Sequence, residues 1–221
     1  MWIRRGLTMA LLCGFQWSGT LAWADTPTSN RKPVILVVGD SLSAEYGLQR
    51  GSGWVALIEQ RLRSENAAYQ IRNTSISGDT SSGGVSRLPA ALSEHQPDIV
   101  IIELGANDAL RGLSLGATED NLSKMISLSQ EAQARVLLLG MQIPPNYGRQ
   151  YAEQFQALFP RLASRHNTQL APFLMEGMAA DRNLFQADGI HPNEQAQPIL
   201  ADNVWEQLGP MIAPQPARQG G

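Results

Sequence analysis

The chain has 221 residues, a formal net charge of −3 and a hydrophobic fraction of 43%. These values describe an ordinary globular protein of one domain that is long enough to bury a substantial core. The sequence contains no cluster of Lys and Arg residues of the kind that binds phosphates, so we expect no nucleic-acid partner.

The first 24 residues have the pattern of a secretory signal peptide. Two arginines at 4–5 precede a mostly apolar run over 7–15, and residues 22–24 read Ala-Trp-Ala, a small-x-small cleavage pattern. We therefore expect cleavage before Asp25, a periplasmic or secreted protein, and no stable membrane insertion of the mature chain. An uncleaved anchor is the alternative, although the apolar run is short and interrupted by polar residues.

The rest of the chain predicts one domain with short extensions. Residues 25–33 are predicted to be a flexible lead-in, and residues 213–221 a flexible tail. The segment between them, 34–212, contains five strand patterns that alternate with helical patterns. The predicted strands cover residues 33–39, 69–76, 98–105, 135–143 and 168–173. The predicted helices cover residues 54–63, 83–95, 118–134, 149–167 and 193–208, and the third of them is expected to start with an acidic first turn at Thr118.

Strands that alternate with helices predict right-handed crossovers and a parallel sheet covered on both faces. The fold class is therefore α/β, a three-layer α/β/α sandwich around a five-stranded parallel sheet. The flavodoxin-like strand order 2-1-3-4-5 is the usual solution for five strands, although the sequence does not give the order itself.

Polar turns follow the first three predicted strands. They are Gly39-Asp40-Ser41, Ser77-Gly78-Asp79 and Gly105-Ala106-Asn107-Asp108, and a fourth polar segment, residues 187–192, precedes the last helix. Ligands of parallel α/β sheets bind at the carboxyl edge of the strands, so we expect these turns to form one site.

The residue types in these turns suit acyl transfer. That reaction needs a nucleophile, a base, a group that orients the base, and donors for the developing oxyanion. Ser41 is the candidate nucleophile, His191 the base and Asp188 its orienting acid. The backbone N–H groups of Ser41 and Gly78 and the side-chain amide of Asn107 are the candidate oxyanion donors. Glycine at position 78 would let the backbone approach a substrate closely.

Each of these candidates also has an ordinary structural interpretation. Ser41 could cap the next helix, Asn107 could be a turn residue, and Asp188-Gly189 could be a simple turn. Pro192 could be the first residue of a helix.

The acidic residues beside the candidates are less informative. Asp79 and Asp108 are interpreted as capping carboxylates. Asp40 could orient the backbone near Ser41, but the sequence assigns it no role.

We expect no metal or other cofactor. The chain has three histidines, His95, His166 and His191, and its single cysteine, Cys13, leaves with the signal peptide. The acidic residues show no ligand spacing. His95 and His166 lie at predicted helix ends, where a cationic imidazole is favourable, so we interpret both as structural.

Apolar residues in two loops are candidates for an acyl-binding groove. Leu110 and Leu113 follow the third strand, and Ile143, Pro144 and Tyr147 follow the fourth. Ordinary loop packing is the alternative, and neither loop indicates an acyl-chain length.

The motifs VVGDSLSAEYG (37–47), SISGDTSSGG (75–84), LGANDALRG (104–112) and ADGIHP (187–192) resemble the four blocks of the GDSL/SGNH hydrolase superfamily. The resemblance covers roughly residues 34–210 and is greatest to the bacterial periplasmic multifunctional thioesterase I/protease I/lysophospholipase branch, also described as arylesterases. It implies a flavodoxin-like fold and a metal-free triad hydrolase. The family's functional positions fall on Ser41, Gly78, Asn107, Asp188 and His191. The G-x-S-x-G elbow of α/β-hydrolases is absent around Ser41.

These observations predict an exported, monomeric serine hydrolase of acyl esters, thioesters or lysophospholipids that works through an acyl-enzyme. Activity should fall below about pH 6, because His191 must be neutral to act as a base. A carbohydrate O-deacetylase using the same site and a non-catalytic periplasmic binding module are the alternatives.

Overall fold

The structure is a computed structural model that describes residues 2, 31–65 and 67–212. The described residues from 32 onward belong to one compact unit. The predicted tail, most of the predicted signal peptide and most of the lead-in lie outside the described residues. Within the described ranges, no helix is both long and apolar enough to cross a bilayer.

Five parallel strands form one sheet in the order β2-β1-β3-β4-β5, which confirms the predicted fold class and the flavodoxin-like order. The strands are β1 (Val34–Gly39), β2 (Gln70–Asn73), β3 (Ile99–Glu103), β4 (Arg135–Leu139) and β5 (Gln169–Ala171). The observed strands are shorter than predicted, mostly at their carboxyl ends. There the chain leaves the sheet and enters the loops that carry the candidate site.

Helices cover both faces of the sheet, as the sandwich architecture requires. They are α1 (Trp54–Ser64), α2 (Ser81–His95), α3 (Ala106–Leu110), α4 (Leu115–Glu131), α5 (Arg149–His166) and α6 (Gln197–Ile212). Helices α1 and α6 pack together on one face, and α2, α4 and α5 pack together on the other. Three single turns of 3₁₀ helix are also present, at Pro145–Tyr147, Arg182–Leu184 and Glu194–Ala196.

Three helix starts differ from the predicted ones. Helix α2 begins at Ser81 rather than at residue 83, because the Thr80 side chain accepts a hydrogen bond from the Gly83 N–H and caps it there. Helix α4 begins at Leu115 rather than at Thr118, because the Ser114 hydroxyl accepts a hydrogen bond from the Ala117 N–H and caps it there. The expected acidic first turn at Thr118 is therefore wrong. The last α-helix begins at Gln197 rather than at Asn193, whose side chain instead caps the 3₁₀ turn before it.

The buried centre of the sheet explains the continuous apolar runs in the sequence. Strands β1 and β3 are neighbours and are buried along their whole length. Both therefore read as unbroken apolar segments, as expected for parallel strands covered on both faces. The exception is Glu103, the last residue of β3, which is buried although it carries a carboxyl group.

Candidate active site

Ser41 lies in a series of turns directly after β1. The next helix, α1, begins only at Trp54, and its N-cap is Gly53. The alternative interpretation of Ser41 as a helix cap is therefore wrong. Its side chain is only partly buried and is free to take part in another interaction.

Ser41 and the distant pair Asp188 and His191 form one chain of hydrogen-bonded side chains. The Ser41 Oγ lies 2.9 Å from His191 Nε2, and His191 Nδ1 lies 2.7 Å from Asp188 Oδ2. An ionised carboxylate only accepts, so Nδ1 carries the hydrogen and Nε2 presents its lone pair to the Ser41 hydroxyl. The imidazole is thus in the tautomer that can accept the serine proton.

The turn between Asp188 and His191 holds the carboxylate in its charged form. The backbone N–H groups of His191 and Ile190 both donate to Asp188 Oδ1, at 3.0 and 2.9 Å. These bonds, with the one from the imidazole, lower the pKa of Asp188 to about 2. Gly189 supplies the positive φ of +67° that the turn needs. Pro192 follows in an isolated antiparallel bridge to Phe185, not as the first residue of a helix.

The backbone N–H groups of Ser41 and Gly78, two of the residues predicted as oxyanion donors, have no acceptor among residues 31–65 and 67–212. Gly78 has a φ of +78°, which other residues adopt only with strain. A Cβ at this position would meet nothing nearer than Arg111 Nη2 at 3.7 Å. The backbone conformation, rather than crowding by neighbouring protein atoms, therefore requires the glycine.

The third predicted donor, Asn107, lies on the short helix α3, which the sequence had suggested was a turn. Its Nδ2 donates to Asp40 Oδ2 at 2.8 Å. Since the amide nitrogen has two hydrogens, one remains for another acceptor. The contact also fixes which end of the amide faces the carboxylate.

Asp40, to which the sequence assigned no role, organises this part of the site. Its Oδ1 accepts the Leu42 N–H at 3.0 Å and lies 3.5 Å from the Ser41 hydroxyl. The side chain is 1% exposed. Burial raises the pKa of Asp40 to about 6, although these hydrogen bonds act in the opposite direction.

Sequence reasoning missed two residues that join the halves of the site. Gln186 Nε2 donates to the carbonyls of Tyr46 and Pro192, at 2.8 and 3.1 Å, and its N–H donates to the His191 carbonyl at 2.7 Å. The Tyr46 ring lies against the imidazole, with 4.5 Å between ring centroids. Gln186 adjoins the ADGIHP motif, but no local pattern signals contacts with a loop 140 residues away.

The remaining polar candidates have structural partners. Asp108 is buried and accepts bonds from the Ser81 N–H and hydroxyl at the start of α2, at 2.8 and 2.5 Å, which fits the predicted capping role. Asp79 forms an ion pair with Arg87 at 2.8 Å. His166 ends α5, and its Nε2 lies 2.7 Å from the Ser123 hydroxyl. Among the described residues, no cluster of three or more potential ligands is arranged for a metal ion.

The five candidate residues for the acyl-binding groove differ in their exposure to solvent. Ile143 is 8% exposed and belongs to the hydrophobic core, which favours ordinary packing over a groove for this residue. Leu110 is partly buried against the same core. Leu113 and Tyr147 are 43% and 42% exposed, and Pro144 is also exposed.

The chain is similar to known hydrolases over most of its length. The sequence profile of the GDSL-like lipase/acylhydrolase family matches residues 37–198. Esterase TesA of Pseudomonas aeruginosa is 47% identical over 195 residues, which cover 88% of this chain and 97% of the relative. Thioesterase 1/protease 1/lysophospholipase L1 of Escherichia coli is 43% identical over 179 residues, covering 81% of this chain and 85% of the relative. The crystal structure of the psychrotrophic esterase EstA from Pseudoalteromonas sp., inhibited by monoethylphosphonate, has a TM-score of 0.78 and 39% identity, covering 82% of this chain and 99% of that one.

These similarities confirm the resemblance drawn from the four motifs. The matched region begins in β1 and includes every residue of the hydrogen-bonded chain and both unpaired N–H groups. The chain therefore belongs to the GDSL-like lipase/acylhydrolase family, a family of hydrolases.

Proposed function

We propose that this chain is an exported serine hydrolase that cleaves acyl esters and thioesters through a Ser41-His191-Asp188 triad. The observation that carries the proposal is the continuous chain of bonds from the Ser41 hydroxyl to the Asp188 carboxylate, at 2.9 and 2.7 Å. An aligned nucleophile, base and orienting acid is the arrangement that activates a serine hydroxyl.

The reaction follows from the proton positions. Ser41 Oγ attacks the acyl carbonyl while its proton moves to His191 Nε2, and Asp188 stabilises the imidazolium that forms. The carbonyl oxygen becomes an oxyanion that accepts hydrogen bonds from the Ser41 and Gly78 N–H groups and from Asn107. The bond to the alcohol or thiol breaks, and the leaving group takes the proton from His191. Water then attacks the acyl-enzyme by the same route and releases the acid and the free serine.

The surface at the carboxyl edge of the sheet favours an apolar acyl group. Within residues 31–212, every large apolar side chain that is markedly exposed lies in a segment that follows a strand, at the carboxyl edge of the sheet. One comes from each of the five connections: Tyr46, Ile76, Leu113, Tyr147 and Ile190. The names of the relatives, esterase, thioesterase and lysophospholipase, agree with acyl substrates of this kind.

A hydrolysis panel tests the proposal. Residues 25–221 and the same chain with Ser41→Ala are assayed on short and long acyl p-nitrophenyl esters, the corresponding thioesters and a lysophospholipid. Turnover by the Ser41 form alone is expected, and the chain-length profile then identifies the preferred acyl group. Turnover of acetyl esters only would favour the carbohydrate O-deacetylase. Equal rates for both forms, or no turnover by either, would contradict the triad and favour the binding module.

Export is part of the same proposal and needs its own test. Residues 1–24 have the basic, apolar and small-residue regions of a cleaved signal peptide. Expression of the full chain in a Gram-negative host should place a protein that begins at Asp25 in the periplasmic fraction or the medium. An intact N-terminus on membranes would instead indicate the uncleaved anchor.

A further inference from the structure

Glu103 carries a carboxyl group into the centre of the fold. It is the last residue of β3, lies in register with Gly39 of β1, and is 0% exposed. Its Oε2 accepts the Asp40 N–H at 3.2 Å and the Ser43 hydroxyl at 2.7 Å, whereas Oε1 has no partner among the described residues. Within residues 31–65 and 67–212, no cationic side chain forms an ion pair with Glu103. Since an uncompensated buried charge is very costly, these surroundings favour the neutral acid.

The turn that carries Ser41 is shaped around this carboxyl. A Cβ at Gly39 would lie 2.6 Å from Glu103 Oε2 and 2.7 Å from the Ser43 hydroxyl. The glycine that begins the GDSLS sequence therefore leaves the space in which Glu103 meets the turn. Through Asp40 and Ser43, Glu103 contacts the residue before Ser41 and the second residue after it.

The surroundings of Asp40 and Glu103 favour a negative charge on Asp40 rather than on Glu103. Asp40 has donors for its carboxylate in the Leu42 N–H and the Asn107 amide, at 3.0 and 2.8 Å. Glu103 has no such set, and it faces Asp40, the titratable group that acts on it electrostatically. Burial and the Asp40 charge together raise the pKa of Glu103 well above its ordinary value. Two adjacent buried carboxyls are thus best satisfied with Asp40 ionised and Glu103 protonated.

We propose that Glu103 is a positioning residue for acyl transfer, whose uncharged carboxyl fixes the turn that presents the Ser41 hydroxyl and the Asp40 carboxylate. The proposal rests on the proposed function, because it assigns Glu103 a task in the reaction of Ser41. Glu103 touches neither substrate nor reacting atoms. It acts through the Asp40 N–H and the Ser43 hydroxyl.

Three variants test the proposal by their kcat, KM, pH profile and thermal unfolding. Glu103→Ala removes the acceptor, so kcat should fall about tenfold or more while KM stays within about twofold, as expected for a misplaced nucleophile. Glu103→Gln keeps an acceptor at Oε2 and mimics the neutral acid, so it should restore most of the lost kcat without moving the acid limb of the pH profile. Ser129→Ala is the matched control, since it removes a buried hydroxyl that bonds the Met125 carbonyl in α4, away from the site.

The outcomes separate a positioning role from a purely structural one. If Glu103→Ala lowers only the unfolding temperature, as Ser129→Ala is expected to do, the proposal is overturned. If Glu103→Gln is as slow as Glu103→Ala, or its acid limb moves to lower pH, an ionised Glu103 was required and the proposal is also overturned. Should Glu103→Ala fail to fold, the kcat and acid limb of Glu103→Gln decide alone.

Failure of the proposed function has a different signature. Ser41→Ala measured beside these variants would then retain wild-type turnover. An inactive Ser41→Ala variant together with an unimpaired Glu103→Ala variant would overturn only the role of Glu103.

Discussion

Asn107 Nδ2 donates a hydrogen bond of 2.8 Å to Asp40 Oδ2, and this contact joins the loop after β3 to the loop after β1. Asp40 is buried and precedes the proposed nucleophile, and Asn107 is the proposed side-chain oxyanion donor. The carboxylate therefore fixes the orientation of the Asn107 amide, while its other oxygen accepts the Leu42 N–H in the turn around Ser41.

The first prediction concerns this pair. Asn107→Ala should lower kcat on the order of a hundredfold, the usual cost of losing one oxyanion donor. Asp40→Asn should also lower kcat, because an amide cannot accept both the Asn107 and Leu42 hydrogen bonds as the carboxylate does. Since both act through one contact, the double variant should lose much less than the product of the single losses. A double-mutant cycle on kcat/KM measures this, and fully additive losses would exclude the coupling.

The second prediction concerns the pH dependence of activity. Burial raises the pKa of Asp40 to about 6, so its carboxylate becomes neutral as the solution is acidified through that value. The acid limb of kcat/KM should therefore include the titration of Asp40, and it should be less steep in Asp40→Asn than in the wild type. Rate profiles from about pH 4.5 to about pH 8 test this, and equal slopes in the two proteins would contradict it.

The third prediction concerns stability. An acid whose pKa is raised by folding holds its proton more tightly in the folded chain. The stabilising contribution of Asp40 to the free energy of unfolding is therefore fully present below pH 3.8, the ordinary pKa of the group. It is lost as the pH rises to about 6, the pKa of Asp40 in the folded chain. Asp188, whose pKa is lowered to about 2, behaves oppositely: its contribution is present above 3.8 and is lost toward pH 2.

Urea unfolding of the wild type and Asp40→Asn across this range measures the Asp40 effect. The unfolding free energy of the variant, relative to that of the wild type, should rise as the pH increases from about 4 to about 7. A constant difference between the two proteins would show that Asp40 does not titrate in this window.

The fourth prediction concerns Gln186. Its side chain joins the Tyr46 carbonyl of the serine loop to the Pro192 carbonyl of the histidine loop. Gln186→Ala should lower kcat about threefold to tenfold, because the two loops would no longer hold Ser41 and His191 at a fixed distance. Gln195→Ala is the control, because this exposed side chain makes no hydrogen bond within the described residues. Equal kcat values for the two variants would remove Gln186 from the positioning of the site.

Much of this architecture could be predicted from local signals. The apolar runs of β1 and β3 gave the parallel sheet, and the polar turns after them contain Ser41, Gly78 and Asn107. The contact between Asp188 and His191 could also be predicted from a local signal, since the two residues are three positions apart within one turn. The predicted start of helix α4 was too late, because the acidic residues after Thr118 are typical of a first helical turn. The N-cap is instead Ser114.

The features that could not be predicted depend on contacts across the sheet. Ile143 follows β4 in a loop, but it belongs to the buried hydrophobic core. Glu103 had a visible signal, an acid at the end of a fully apolar strand. Its partners in the Ser41 turn lie 60 and 63 residues away and follow only from the pairing of β1 with β3.

Covalent labelling tests the central claim, that Ser41 is an activated nucleophile. The mature protein is treated with a p-nitrophenyl alkylphosphonate, and intact mass, p-nitrophenol release and a peptide map are recorded. In the expected reaction Ser41 Oγ bonds to phosphorus, p-nitrophenol leaves, and one phosphonyl group is found per chain on the peptide that contains Ser41. Ser41→Ala should remain unlabelled. Labelling of Ser41→Ala to the same extent, or no labelling of the wild type under conditions in which it hydrolyses esters, would contradict the account.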